Sequence, residues 1–177
     1  MANVLTKNIW HCDSLGILSS KPVLLKAMLF YPSTQADAFE LKWWNEDSPT
    51  TVVGGITYTI TTSTDDTVTS TGSFASAWAD GNVAKCLKTT GSDKGVYGLI
   101  KTAGNNNAIV IHLSPFTTEA DKVGDWANYP SYTAFKGIQT KDADERSMFF
   151  SFGDGFWFDN LALDSMSASC TLTLYVG

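Results

Sequence analysis

Few side chains in this sequence have the types and spacing that catalysis needs. His11, Cys12 and Asp13 are consecutive, and together they carry the groups of a thiol nucleophile, a base and an orienting carboxylate. Consecutive residues of a β-strand point to opposite faces, so adjacency alone cannot pair the thiol with the imidazole. His112 follows Ile111 in an apolar segment and is predicted to face solvent or an interface. The sequence therefore predicts no catalytic residue, and a protein that is not an enzyme.

Carboxylates cluster at residues 65–66, 142–145 and 154–159 without the spacing of a metal-binding loop. Ca²⁺ takes about six to eight oxygen ligands. Residues 142–145 could supply three carboxylates, in a pattern that matches no EF-hand, and residues 141–146 are interpreted as a charged turn. No metal site is predicted. A facing pair of carboxylates, as glycoside hydrolysis uses, depends on the fold and stays open as an alternative.

The segment Gly153-Asp154-Gly155 is the part of the chain that most looks like a phosphate-binding loop. It lacks the following helix and the Lys-Ser/Thr pair that hold a nucleotide in such loops. We interpret it as a turn between two aromatic strands. No cofactor is predicted.

The charge composition argues against anionic partners. The 177 residues carry a formal net charge of −6, and Arg146 is the single arginine among scattered lysines. Nucleic acids and anionic membranes both attract clustered Lys and Arg, so neither a nucleic acid nor a membrane is predicted as a partner. Charged residues make up 17% of the chain. The usual share is ~25%, and a low share is typical of proteins that hide surface in an assembly.

Three cysteines, Cys12, Cys86 and Cys170, show no CxxC or Cys/His metal spacing. We interpret them as buried thiols, with a single disulfide left open as the alternative. The N-terminal residues do not form a basic region followed by an apolar stretch, and no apolar run approaches the ~20 residues of a membrane span. Synthesis in a reducing cytoplasm is therefore expected.

Short β-strands separated by turns account for nearly all of the pattern. Apolar residues recur at spacing two in segments rich in Thr, Val, Ile and aromatic residues. Residues 23–31 and 38–44 are predicted to form a hairpin-like pair, and residues 96–101 and 108–113 a second hairpin. Further strands are predicted at residues 56–62, 67–70, 83–87, 148–152, 155–163 and 169–176. Residues 115–146 are interpreted as long loops with one short helix near residues 117–122.

Dense aromatic residues are the most informative feature. Trp43 and Trp44 are adjacent, as are Phe156 and Trp157, and adjacent strand residues take opposite faces. Both faces of these strands are therefore apolar. One face can serve the core, and the other needs a second layer or a partner. These four residues are the predicted interface contacts, with core filling alone as the alternative.

A carbohydrate-binding module would use exposed aromatic rings as stacking platforms. Trp126, Tyr129 and Tyr132 are the candidates for such platforms in this sequence. This interpretation competes with the one in which aromatic residues contact a protein partner.

The two ends of the chain resemble those of small tailed-bacteriophage virion proteins of the head-decoration (cement) or minor structural type. The segments KPVLLKAMLFYP (21–32) and ADAFELKW (36–43) look like the opening hairpin of these proteins, and GFWFDNLALDSM (155–166) and CTLTLYV (170–176) look like their closing strands. The middle resembles a small-barrel module common in phage structural proteins. This second likeness rests on residues 66–74, 78–83, 93–100 and 107–111.

The expected fold is all-β: a β-sandwich, jelly-roll-like, from residues 1–63 and 115–177, with a small inserted β-barrel at residues 64–114. The resemblance implies a virion protein, made in the host cytoplasm, that binds the assembled capsid shell and stabilises it. It also implies a homo-oligomer, commonly a trimer, with the major capsid protein or other virion proteins as partners. A tail or neck structural protein and a carbohydrate-binding sandwich module remain alternatives, and a small hydrolase is the third.

Overall fold

The computed structural model describes residues 3–34, 36–71, 78–104, 107–139 and 147–177. Strands make up 65% of the structure and these ranges contain no helix, so the all-β class is confirmed. Accordingly, the described part of the chain offers no helix that could cross a membrane. The strands in these ranges are, in chain order, β1 (Val4–Leu5), β2 (Ile9–Cys12), β3 (Gly16–Ser19), β4 (Val23–Tyr31), β5 (Ala38–Trp44), β6 (Thr51–Thr62), β7 (Asp66–Ser70), β8 (Val83–Thr89), β9 (Tyr97–Ala103), β10 (Ala108–Ile111), β11 (Glu119–Tyr129), β12 (Ser131–Ile138), β13 (Met148–Phe158), β14 (Leu161–Met166) and β15 (Thr171–Val176).

The chain divides into two compact units. The first, here called the sandwich unit, comprises Met1–Trp43 and Tyr132–Gly177. The second, here called the barrel unit, comprises Trp44–Ser131. A segment inserted into another fold was predicted, and this division has that arrangement. The predicted insert at residues 64–114 is shorter than the barrel unit.

The sandwich unit has the strand order of a jelly roll. Its five-stranded sheet runs β1-β2-β15-β4-β13 and its four-stranded sheet runs β12-β5-β14-β3. When the short β1 is left out, the eight remaining strands of this unit can be counted from 1 to 8 in chain order. The five-stranded sheet then has the order 1-8-3-6, and the four-stranded sheet has the order 5-4-7-2. Eight strands divided in this way between two packed sheets are the jelly-roll arrangement, which confirms the predicted sandwich.

The core of the sandwich unit is built from the inward faces of both sheets. Phe30 of β4 and Phe39 of β5 meet across the interior with ring centroids 4.7 Å apart. On β15, the alternate residues Leu172, Leu174 and Val176 are buried, as the period of two predicts. The strands therefore form because each supplies one apolar row to a shared interior.

The barrel unit closes six strands into a ring of order β10-β7-β6-β11-β8-β9. Tyr58 of β6 lies edge-on to Trp126 of β11, with ring centroids 5.2 Å apart, and Phe116 packs against the same tryptophan. Alternation in β6 buries Ile56, Tyr58 and Ile60 and leaves the threonines between them outside. A closed barrel leaves no free sheet edge, which explains why so small a unit holds together.

The barrel is larger than the predicted insert at residues 64–114. It includes β6 and β11, which the sequence analysis assigned to the sandwich, and these two strands pair with each other along most of their length. A strand pattern shows that a segment is extended but does not show which sheet it joins. The predicted boundaries are therefore wrong on both sides of the insert.

The interpretation of residues 115–146 as loops with a short helix is also wrong, because β11 and β12 occupy most of it. The register of β11 against β6 shifts between Glu119 and Lys122 and again between Gly124 and Trp126. Each shift interrupts the alternation of inward and outward residues, so the sequence shows no clean period of two. The charged turn predicted at residues 141–146 lies outside the described residues.

Of the two predicted hairpins, one is wrong and one is confirmed. β4 and β5 do not form a hairpin, because β4 pairs with β13 and β15 while β5 belongs to the other sheet. The connection between them is a corner of the jelly roll. By contrast, the predicted hairpin of β9 and β10 is confirmed, with Ile109 opposite Ala103.

All three cysteines are free and buried, which confirms their interpretation as interior thiols. Cys12 and Cys170 belong to the core of the sandwich unit, and Cys86 to that of the barrel unit. Burial raises the pKa of Cys12 to about 12 and that of Cys86 to about 11. These thiols therefore act as small apolar side chains.

Candidate protein-binding surface

Strand β13 carries aromatic residues on both of its faces. Phe150 lies opposite Met28 and packs against the core of the sandwich unit. Phe149 lies opposite Leu29, and Trp157 opposite Leu24, so their side chains take the outer face. The prediction that both faces of this strand are apolar is confirmed at these positions.

Three aromatic side chains of β13 are more than half exposed. Trp157 is 68% exposed, Phe149 63% and Phe156 57%, and the three are called the aromatic edge below because β13 borders its sheet. Added together, the three side chains expose about 380 Å², taking ~200 Å² for one bare ring side chain. This area is within the range of the largest apolar patch on a typical monomer, about 300–600 Å², and such patches often have a function.

A bulge in the middle of β13 shapes the aromatic edge. Ser151 pairs with Ala27 and Phe156 with Leu25, so four residues of β13 stand opposite Lys26 alone. Gly153 (φ 60°) and Gly155 (φ 94°) supply the left-handed backbone that this bulge requires. The predicted turn at residues 153–155 is therefore a bulge inside one long strand. A bulge also prevents a foreign strand from pairing along the whole edge.

The outer face of the five-stranded sheet continues the apolar surface. Tyr31 is 45% exposed on β4, and the ring of Tyr175 on β15 contacts that of Phe149, with centroids 6.4 Å apart. In the five strands of this sheet, all of whose residues the structure describes, Lys26, Asp154 and His11 are the only charged or titratable acid–base side chains besides tyrosine and cysteine. A face so poor in charge costs little to desolvate.

The four predicted contact residues have different positions. Phe156 and Trp157 lie on the aromatic edge. Trp43 is half-buried and packs against Tyr132, with ring centroids 5.3 Å apart. Trp44 is fully buried, so it is a core residue and not a surface contact. The sequence analysis missed Phe149, although its alternation with Phe150 carried the signal.

The stacking platform suggested for a carbohydrate-binding module does not exist as predicted. Trp126 is completely buried in the interior of the barrel unit, and Tyr129, on the alternate face of β11, is 4% exposed. Tyr132 is exposed, but on β12 of the sandwich unit. The three rings therefore form no shared platform.

The candidate thiol site is separated in the structure as strand geometry predicts. His11 points outward, where its Nδ1 is hydrogen-bonded to Thr173 Oγ1 at 3.0 Å, while Cys12 is 1% exposed in the core. His112 follows β10, and its backbone N–H donates to Leu99 O. In the part of the chain that the structure describes, no group of three His, Cys, Asp or Glu side chains is placed to hold a metal ion.

Comparisons of the chain with protein-family models, with curated proteins and with solved structures give no match.

Proposed function

We propose that this chain is a non-enzymatic structural protein that binds an assembled protein shell through the aromatic edge. The observation that carries the proposal is the exposure of Phe149 and Trp157 on the outer face of a border strand whose other face already serves the core, with Phe156 also exposed next to Trp157. The shell as partner follows from the resemblance to phage head-decoration proteins. The virion is then the place where the protein acts.

The energetics support a docking role for these rings. Burying about 380 Å² of apolar surface contributes roughly 9 kcal/mol at ~25 cal/mol per Å². Association costs about 4–15 kcal/mol, so the aromatic edge is a hot spot that needs further contact area around it. The adjoining outer face, with Tyr31 and few charges, supplies such area. A standard interface covers ~800 Å² on each partner.

The jelly roll is compatible with this proposal and does not prove it. Jelly rolls occur in viral capsid proteins, and they occur equally in lectins and cupins. A fold shared by several functions supports none of them alone. The proposal is therefore supported by the exposed rings of the aromatic edge. The fold explains only how two aromatic faces come to lie on one strand.

Copy counting by mass spectrometry on particles purified from the phage that encodes the chain is the direct test. A copy number that matches the shell lattice is expected for a decoration protein. A small fixed number would place the chain in the tail or neck and overturn shell decoration. Absence from the particles would overturn the virion proposal as a whole.

A binding assay tests the surface separately. Particles stripped of the chain are mixed with purified wild type or with the double variant Phe149→Ser/Trp157→Ser, and bound protein is measured after sedimentation. We expect the double variant to lose binding by at least about tenfold, because two hot-spot rings are removed. Ile138→Ser is the matched control, since Ile138 is 52% exposed on the other sheet. Equal binding by all three proteins would contradict the proposal.

The trimer belongs to the same proposal and rests on the resemblance. Size-exclusion chromatography with light scattering over a range of concentrations tests it. A mass of three chains is expected. A clean monomer at the highest concentration would contradict the trimer but would leave the binding assay to decide shell docking.

A further inference from the structure

A shallow depression of about 260 Å³ lies on the outer face of the five-stranded sheet, over β1, β2, β15 and β4. The aromatic edge on β13 borders the same sheet on the opposite side. The depression therefore lies apart from most of the aromatic edge, although Tyr31 at its border belongs to the adjoining outer face and Tyr175 contacts Phe149.

The floor of the depression is a row of three side chains across neighbouring strands. Thr173 of β15 stands opposite His11 of β2 on one side and opposite Leu29 of β4 on the other. Residues that stand opposite each other in antiparallel strands share a face, so all three side chains point outward. Thr173 itself is 5% exposed and lies at the bottom.

The imidazole in this floor is held in position. His11 Nδ1 and Thr173 Oγ1 are hydrogen-bonded at 3.0 Å, which limits the rotation of the ring beside the depression. The imidazole can donate or accept at Nε2, depending on which tautomer is present. A small polar ligand could therefore meet a fixed nitrogen beside a fixed hydroxyl.

Tyrosines flank this floor at both ends. Tyr31 stands opposite Thr171, and Tyr175 is two residues beyond Thr173 on the same face of β15. The ring of Tyr175 rests against Phe149, with centroids 6.4 Å apart, and this contact limits its rotation. Each tyrosine offers an apolar ring face next to a polar hydroxyl.

A carboxylate lies at the rim. Asp13 Oδ1 accepts a hydrogen bond from Ser14 Oγ at 2.8 Å, and the backbone N–H of Asp13 donates to Asn3 Oδ1 at 3.0 Å. These bonds hold the rim loop in place. The second carboxylate oxygen can accept from a ligand hydroxyl. None of the nine described residues that line the depression is a lysine or an arginine.

We infer that this depression binds a neutral sugar residue. The apolar C–H face of a pyranose packs on tyrosine rings, while its hydroxyls need neighbouring donors and acceptors, which His11, Thr173 and Asp13 supply. Few convergent polar groups in an otherwise apolar concavity are the usual composition of a small-molecule site. Anionic sugars are disfavoured, because the site has a carboxylate and no Lys or Arg in a chain of net charge −6. This inference does not depend on shell docking.

An NMR titration tests the inference. The ¹⁵N-labelled full chain is titrated with the methyl glycosides of glucose, galactose, mannose and N-acetylglucosamine, and with sialic acid as the anionic comparison. We expect saturable shifts of the amides of His11, Thr173 and Tyr175 with at least one neutral sugar, at millimolar affinity as suits a small open site. Sialic acid should bind more weakly.

Two variants localise the binding. Thr173→Val keeps the side-chain shape and removes the hydroxyl, and His11→Ala removes the imidazole. Each should weaken sugar binding by about tenfold, the effect of one lost hydrogen bond in a small site. Trp157→Ala, on the aromatic edge, should bind sugar like wild type, which separates this site from the docking surface. A preserved amide spectrum shows that each variant is folded.

Three results would overturn the inference. The first is no saturable shift with any neutral sugar. The second is sugar binding that Thr173→Val and His11→Ala leave unchanged, which would place the sugar elsewhere. The third is tighter binding of sialic acid than of every neutral sugar, which would reject the ligand class.

Discussion

Asp66 and Phe116 are hydrogen-bonded inside the barrel unit: Asp66 Oδ2 accepts from the backbone N–H of Phe116 at 2.7 Å, and both residues are buried. The ring of Phe116 then packs against Trp126, with centroids 5.2 Å apart. The chain between β10 and β11 has backbone φ values of 62° at Leu113 and 43° at Ser114. The Asp66 bond therefore anchors a segment whose own backbone is in an uncommon conformation.

Replacing Asp66 tests that anchor. Asp66→Ala should lower the free energy of unfolding by about 2 kcal/mol, because the buried N–H of Phe116 loses its acceptor. Asp66→Asn should cost less, since the amide oxygen can still accept. Urea denaturation followed by tryptophan fluorescence measures both. Equal losses in the two variants would show that the hydrogen bond is not what matters at this position.

Adjacent phenylalanines on β13 should respond in opposite ways. Phe150 contacts Phe135, with ring centroids 5.0 Å apart, and packs against the core of the sandwich unit. Phe150→Ala should therefore destabilise the protein by about 2–3 kcal/mol, below the cost for a fully buried ring. Phe149→Ala should change stability by no more than about 0.5 kcal/mol, because Phe149 is 63% exposed. Chemical denaturation measures the stability of both variants. A larger loss in Phe149→Ala than in Phe150→Ala would mean that the inner and outer faces of β13 are assigned wrongly.

The bulge glycines of β13 provide a second matched pair. A Cβ at Gly155 would lie 2.8 Å from Leu24 Cδ1 and 2.9 Å from Leu25 O, whereas a Cβ at Gly153 would meet nothing within 4 Å. Both residues have positive φ. Gly153→Ala should cost about 1 kcal/mol for backbone strain alone, and Gly155→Ala clearly more. The denaturation midpoints of the two variants measure these losses of stability. Similar losses in both variants would contradict the close approach at Gly155.

Asp37 should make the stability depend on acid pH. Its carboxylate accepts from the backbone N–H of Thr34 at 2.6 Å and of Ser33 at 2.7 Å, and from Cys170 Sγ at 3.2 Å. The Thr34 bond, followed by those from Cys170 and Ser33, holds the pKa of Asp37 well below its usual range, against the opposing effect of burial. The contribution of Asp37 is therefore complete above a pH of about 5, where the unfolded carboxyl is almost fully ionised, and is lost as the pH falls toward the folded pKa.

The comparison with Asp37→Asn isolates this contribution. Wild type should be the more stable protein at pH 7, and the difference in free energy of unfolding should shrink as the pH is lowered below about 5. Ser33→Ala removes one donor, whose Oγ lies 3.0 Å from Asp37 Oδ2, but keeps the carboxylate. That control should retain most of the pH dependence. A difference that stays constant with pH would refute the assignment to Asp37.

The three thiols should be protected only by folding. Cys12, Cys86 and Cys170 are free and buried, so a thiol reagent such as DTNB should react slowly with the native protein at pH 8. All three should react at once in denaturant without reductant. Counting released thiolate by absorbance measures this. Fewer than three reactive thiols in the unfolded chain would reveal a disulfide.

Sequence reasoning succeeded where the signal is local. The burial of Leu172, Leu174 and Val176, and of Ile56, Tyr58 and Ile60, follows from alternation along a single strand. The hairpin of β9 and β10 was equally readable, because its turn and both strands are neighbours in the chain. Of the predicted contacts, Phe156 and Trp157 are exposed but Trp44 is fully buried, since two adjacent tryptophans at the end of a strand do not show which one faces inward.

The sequence by itself determined that the chain is all-β and which residues of most strands point inward, because side chains alternate with a period of two wherever the backbone is extended. Only the tertiary structure decided that β4 and β5 lie in opposite sheets, that β6 and β11 close the barrel, and that Thr173 stands between His11 and Leu29. Strand pairing joins residues far apart in the chain, and its free energy comes from contacts that exist only after folding.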